Sequence, residues 1–296
     1  MVIPRAKRSL VWLSQSTSIF RNLAFEDWLF RCYDFTDCDG LLVWRNTPAV
    51  VIGRHQNVFA ECNVDYLSKR NIDLVRRQSG GGTVLHSNGN FNFSFFTSNQ
   101  RHNRLRNLEL VCQTLKDKWN IDLKISARHD LLLNNKKPFE RTEGFSYQSN
   151  ATKSIKSNVG WLQQITLHFN GRQLINAIAE AFLSNYSSEM TSTETITESN
   201  LNDSSYDGIS QVEDELRSWD WIFGRNPAFT LSALDRKTNK LVKINVNRGL
   251  VNSINDQDNN SLEHSYGEIM GKPFDVSFMK MFDRLDNSEP ISRFAS

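Results

Sequence analysis

Apolar and polar positions recur along the chain with two periods, which predicts a mixture of strands and helices. Residues 10–13, Leu-Val-Trp-Leu, form a short apolar run that reads as a first strand. Ser18 can cap a helix in which Phe25, Trp28, Leu29 and Cys32 follow helical spacing. Residues 41–44 and 49–52 read as strands broken by the turn Asn46-Thr47-Pro48. Residues 73–76 predict a further strand that runs into Ser79-Gly80-Gly81-Gly82. Three successive glycines would weaken any helix or strand interior, so this stretch is a loop. Beyond it, Phe91, Phe93 and Phe95 put aromatic rings on one face of a strand, and Asn90, Asn92 and Ser94 share the other.

The pattern then turns helical. A helix starting at Asn107 would carry Leu108, Val111, Cys112, Leu115 and Trp119 on one side. A short strand is predicted at residues 130–133, ending at Asn134-Asn135, and a helix at 173–186 with Leu174, Ile178, Ala181 and Phe182 facing inward. Residues 187–211 are rich in Ser, Thr, Asn and acids and poor in core residues, which predicts a linker or a loosely held surface loop. Residues 241–246 alternate as a strand and lead into the turn Asn247-Arg248-Gly249. Residues 225–296 therefore predict a small α+β unit of their own.

Composition narrows the class without naming a function. A chain of 296 residues with 39% hydrophobic and 23% charged content can bury a core of ordinary size. The net charge of +2, from 35 basic and 33 acidic side chains, gives no electrostatic case for a nucleic-acid partner. Cys32, Cys38, Cys62 and Cys112 are scattered without C-x-x-C spacing, which argues against a zinc site or disulfide framework and for a reducing compartment. No apolar run is long enough to span a bilayer. Arg5, Lys7, Arg8 and Arg21, with serines and no acid before Glu26, have the composition of a mitochondrial transit segment; the strand reading of residues 10–13 is preferred.

Three motifs hold candidate chemistry. In Arg76-Arg77-Gln78-Ser79-Gly80-Gly81-Gly82-Thr83-Val84-Leu85-His86, glycines after a strand let the backbone approach a ligand and aim N–H groups at an anion. The adjacent arginine can pair with a carboxylate or phosphate. No Gly-Lys-Ser/Thr follows, so this is not a Walker loop. The other two are Gly53-Arg54-His55-Gln56-Asn57 and Gly89-Asn90-Phe91-Asn92-Phe93-Ser94-Phe95-Phe96. Taken alone, the first reads better as a flexible glycine loop beside a surface arginine and the second as a polar turn, while the third also reads as a half-exposed strand.

Their order and spacing are similar to the signature of lipoate-protein ligases and mitochondrial lipoyltransferases. The likeness extends through Asn22-Leu23-Ala24-Phe25-Glu26-Asp27-Trp28, Asp130-Leu131-Leu132-Leu133, Ser149-Asn150-Ala151-Thr152-Lys153-Ser154 and Trp219-Asp220-Trp221-Ile222-Phe223-Gly224. The resemblance implies an α+β fold with a mixed sheet flanked by helices in a catalytic domain (residues 1–224) and a small C-terminal α+β accessory domain (residues 225–296). It implies transfer of a lipoyl group from lipoyl adenylate, or from a lipoylated carrier protein, to a lysine of an acceptor lipoyl domain. Relatives that activate lipoate use ATP and Mg2+, and no prosthetic group or resident metal is expected. The implied partners are the lipoyl domains of 2-oxoacid dehydrogenase complexes and the glycine-cleavage H protein. No nucleic-acid or membrane partner is implied, and the expected state is a monomer in mitochondria.

By match of motif, Arg77, Ser79, Gly80, Gly81, Gly82 and His86 would line the acyl and phosphate end of the site. Asn92 would sit on its floor, Asp130 would face the ligand from the next strand, and Trp44, Val51 and Phe95 would form apolar walls. One part of the family pattern is missing. Relatives follow the Asp130 strand with Lys-x-Ser-Gly-x-Ala, whose lysine is their central catalytic group. Here Leu133 is followed by Asn134-Asn135-Lys136-Lys137-Pro138-Phe139 and no Ser-Gly-x-Ala. Lys136 or Lys137 is the stub of that motif, with Lys137 taken as the stand-in for the catalytic lysine, although both read better as part of a solvated turn; the domain reads as shortened near residues 134–148. The sequence thus predicts little or no transferase activity. A non-catalytic variant that binds lipoate or a lipoyl domain, and a ligase that activates lipoate with ATP, are the alternatives.

Overall fold

The computed structural model describes residues 6–133, 147–149, 151–154, 162, 170–236, 238–275, 278 and 281–284. Among these the chain runs β1 (Ala6–Ser14), α1 (Ile19–Cys32), β2 (Cys38–Trp44), β3 (Ala49–Ile52), α2 (Val58–Glu61), α3 (Val64–Lys69), β4 (Asp73–Arg76), β5 (Val84–His86) and β6 (Asn92–Phe96). It continues through α4 (Arg104–Trp119), β7 (Leu123–Ile125), β8 (Leu131–Leu133), β9 (Tyr147–Ser149), α5 (Gly171–Tyr186) and β10 (Ser187–Ile196). The last part comprises α6 (Ile209–Arg217), a π-helical turn (Asp220–Gly224), β11 (Phe229–Asp235), β12 (Leu241–Asn247), β13 (Leu250–Asn255), α7 (Glu263–Tyr266) and β14 (Phe282–Arg284). Mixed sheets with flanking helices make this the α+β architecture that the sequence predicts.

The chain divides into two compact units, each discontinuous in sequence. The first comprises Met1–Thr47, Asn88–Glu140 and Lys156–Val212; the second comprises Pro48–Ser87, Arg141–Ile155 and Glu213–Ser296. The boundary read from the sequence at residue 225 falls inside the second unit.

In the first unit, β10-β1-β2-β6 form one sheet, with β1 parallel to both β10 and β2, and β6 antiparallel to β2. Every residue of β2 is buried, as expected of a strand covered on both faces. Val11, Leu41 and Val43 of the sheet share a core with Leu115 of α4 and Ile178 and Phe182 of α5, and Phe91, Phe93 and Phe95 pack against it. The helices begin where capping chemistry permits. Ser18, Asn103 and Asn170 accept N–H donors from Arg21, Arg106 and Arg172. Asn103 as the cap places the start of α4 three residues before Asn107, the start expected from the apolar stripe.

The second unit holds a three-stranded sheet, β4-β3-β5, in which β3 is parallel to β4 and antiparallel to β5. It also holds a sheet centred on β11, which pairs antiparallel with β12, β14 and β9, while β13 extends it beyond β12. Phe229, Leu231, Ile244 and Phe274 lie in its core. Arg248 and Gly249 close the β12–β13 hairpin with φ of 49° and 72°, the left-handed pair that matches strand twist.

The linker expected at residues 187–211 is a correction. Residues 187–196 are β10, paired parallel with β1 from Ala6↔Ser187 to Ser14↔Ile196. Helix α6 begins at Ile209. Residues 189–195 are exposed, so backbone pairing rather than burial defines this edge strand.

Candidate functional site

The glycine motif forms the connection from β4 to β5 in the second unit. The Arg77 N–H donates to Ile52 O (3.0 Å) and prolongs the β3–β4 pairing by one residue. The Arg77 guanidinium then folds back on its own loop. Its Nε donates to Ser79 Oγ (3.1 Å) and Gly80 O (3.2 Å), and its terminal nitrogens donate to Val51 O (3.2 Å), Gly80 O (2.7 Å) and Gly82 O (2.8 Å). The Ser79 carbonyl accepts from Arg54 N (3.0 Å). The loop carbonyls are thus drawn inward. The amides of Gly80, Gly81 and Gly82 form no hydrogen bond with any described residue. Loop amides without such partners can receive an anion where they point to a common spot.

Two glycines make the loop possible. Gly81 has φ of +96°, outside the range of ordinary L-residues. Gly53 lies against it: a Cβ added to Gly53 would stand 2.1 Å from Gly81 O. The buried Gln56 side chain ties the two segments. Its Oε1 accepts from Gly53 N (2.8 Å) and Thr83 Oγ1 (2.9 Å), and its Nε2 donates to Ser154 Oγ (2.9 Å). Ser154 Oγ also accepts from Thr83 N (2.7 Å), which brings the Ser149–Ser154 motif to the end of the glycine loop.

Arg76, which the sequence reading left without a role, is fully buried at 0% exposure. Its Nε donates to Trp221 O and Ile222 O (3.1 Å each). The terminal nitrogens donate to Gly53 O (3.2 Å), Arg54 O (3.1 Å), Gln56 O (2.8 Å), Ile222 O (2.7 Å) and Asn226 Oδ1 (3.0 Å). All these acceptors are neutral. Trp221 and Ile222 lie in the π-helical turn, where carbonyls at a helix end carry partial negative charge. Burial lowers the guanidinium to about 10, so it remains charged at neutral pH.

His86 ends β5 opposite Ala49 and is buried. Burial, and then the neighbouring Arg77 charge, push it down to about 4, so it is a neutral imidazole at physiological pH.

The other expected site residues belong to the first unit. On the polar face of β6, Asn90 Nδ2 donates to Asn92 Oδ1 (3.0 Å), and Trp44 Nε1 donates to Ser94 Oγ (3.1 Å), which donates to the Glu26 carboxylate. Phe95, expected as an apolar wall, packs on Phe182 (5.9 Å) in the helix-facing core. Asp130 is exposed and precedes the strand: its N–H donates to Ser126 Oγ (3.0 Å) in the turn of the β7–β8 hairpin. Residues 130–133 therefore close a hairpin with β7. Lys137 lies outside the described residues. Among the described residues no group of His, Cys, Asp or Glu is arranged to hold a metal ion.

A family model described as the lipoyl protein ligase A/B catalytic domain matches residues 18–137. A human protein named lipoyl amidotransferase LIPT1, mitochondrial, is 32% identical over 265 residues, covering 76% of this chain and 68% of its own length. The chain belongs to the lipoate-protein ligase and lipoyltransferase family. Lipoate-protein ligase A of Psychrobacter cryohalolentis is 30% identical over 250 residues, covering 73% of each chain. The crystal structure of P. falciparum LipL1 in complex with lipoate shares the fold, with a TM-score of 0.58 and 22% identity over 90% of both chains. The family's members named here are enzymes.

The human alignment runs over 265 positions but takes up only 76% of the 296 residues here, so some tens of its positions have no residue in this family member. The family-model match itself stops at residue 137.

Proposed function

We propose that this chain binds a lipoyl group activated as its adenylate, and that it is a lipoyltransferase-branch protein with little transferase turnover in this shortened form. The observation that carries the binding half is the glycine loop. Arg77 and Arg54 take up its carbonyls, and three glycine amides are left to receive the charged phosphate of a mixed anhydride. The turnover half rests on the sequence after Leu133, which offers no Ser-Gly-x-Ala and leaves Lys136 and Lys137 as the nearest cations.

In this reading Ser79, Gly80, Gly81 and Gly82 hold the phosphate end, with Arg77 as the clasp that shapes them and neutral His86 beside them. Lipoate with ATP is the alternative ligand set, with Mg2+ held mainly by the nucleotide phosphates. Acceptors would be lysines of lipoyl domains, and the naming of the human and mouse relatives as mitochondrial supports work in that compartment. Calorimetry with a stable sulfamoyl analogue of lipoyl adenylate tests binding. Saturable, stoichiometric heat is expected; its absence would remove the reading.

A further inference from the structure

We infer that Arg76 is a positioning residue for the activated-acyl site: it fixes the Gly53–Gln56 turn, and through that turn the glycine loop, to the Trp221–Asn226 segment. The inference rests on the reading that the glycine loop holds the adenylate.

A buried arginine is costly, and among the described residues no carboxylate pairs with it. Its charge is instead spread over the carbonyls of two chain segments far apart in sequence. On one side it holds Gly53 O, Arg54 O and Gln56 O. These are the residues whose other groups define the loop: Arg54 N meets Ser79 O, Gln56 Oε1 meets Gly53 N and Thr83 Oγ1, and Gly53 itself abuts Gly81 O. On the other side it holds Trp221 O, Ile222 O and Asn226 Oδ1.

The returning contacts fix the same partners. Trp221 Nε1 donates to Arg76 O (2.7 Å), and Asn226 binds both Val58 N and Asn57 Oδ1 (2.8 Å each). The planar guanidinium fork can serve this many acceptors at once; a lysine ammonium has three donors on a flexible stem. The arginine is fully buried, so it acts through the turn and not at the loop surface. Its effect is to set the height of the Gly53 turn, on which the glycine amides depend.

The test uses the full chain and the sulfamoyl analogue of lipoyl adenylate. Arg76→Lys should keep a cooperative melt, lose at least about tenfold in affinity, and speed amide exchange at Arg54 and Gln56 by a similar factor. Trp221→Phe removes a neighbouring bond but not the fork; it should lower the melting temperature and leave affinity within about twofold. Arg76→Ala should regain affinity when millimolar ethylguanidinium is added and not when ethylammonium is added, a recovery that mere loss of stability does not produce. If Arg76→Lys fails to fold, Asn226→Ser takes its place: it leaves the arginine buried with one acceptor fewer and should bind at least about threefold more weakly. A substituted protein that folds and binds as the native chain does, with no effect of ethylguanidinium on Arg76→Ala, would overturn the inference. Failure of the native chain to bind the analogue would instead overturn the site reading on which it rests.

Discussion

Gly53 and Gly81 meet backbone to backbone, with no room for a Cβ between them: one added to Gly53 would lie 2.1 Å from the Gly81 oxygen. No rotamer change relieves an overlap of this kind, because both sides are main chain. Gly53→Ala should force the glycine loop outward, cost about 1–3 kcal/mol of stability, and abolish measurable binding of the adenylate analogue. Denaturant melts and calorimetry on the same sample read both effects. An alanine protein that melts and binds normally would show the two segments to be farther apart than described.

Arg77→Ala separates clasp from fold. Gly80 and Gly82 carbonyls would lose the guanidinium, but the loop is exposed enough for water to replace it, so stability should change by less than about 1 kcal/mol. Affinity should drop at least about tenfold, since ordering the loop would then be charged against binding. A large fall in melting temperature with unchanged affinity would assign Arg77 to the fold alone.

His86 gives a pH signature. Its folded-state value is pushed down to about 4 from 6.5, chiefly by burial. The unfolded chain takes up this proton near pH 6.5 and the folded chain only near 4. The contribution is therefore fully present above about 6.5 and is lost as pH falls from there towards 4. Comparing the native protein with His86→Gln, the fall in stability from pH 7 to 4.5 should be smaller in the variant by about 2 kcal/mol. Parallel curves for the two proteins would show the imidazole to be free to protonate in the fold.

Residues 187–196 should resist proteolysis, because their backbone is paired along β1. Brief digestion followed by mass analysis should show no early cut there. Early cleavage between Met190 and Glu194 would contradict the strand.

What the sequence made legible follows from what each signal depends on. Ser18, the buried run of β2 and the alternating Phe91, Phe93 and Phe95 are local patterns that burial and capping impose, and each marks its element. Strand β10 was not legible as a strand because residues 189–195 are exposed and show no apolar period. Its only signal is the alternation of β-branched Thr191, Thr193 and Thr195. The glycine stretch was visible as a loop, and Gly81 has the positive φ its residue type allows. The division of labour between Arg76 and Arg77 was not, since two adjacent arginines look alike in sequence. Only the fold turns one into the interior and the other onto its own loop. Asp130, read as part of a strand, sits in a turn because Ser126 bonds its N–H and its carbonyl takes the Ser126 N–H.

One assay decides whether this chain turns over the activated lipoyl group. The chain is mixed with lipoyl adenylate and an apo lipoyl domain, alongside a relative that carries Lys-x-Ser-Gly-x-Ala, and the acceptor is weighed over time. Binding of the adenylate with acceptor lipoylation at least about 100-fold slower than in the relative is predicted, the usual effect of removing one preorganised donor from a transferring acyl group. Lipoylation of the acceptor at a rate close to the relative's would contradict it.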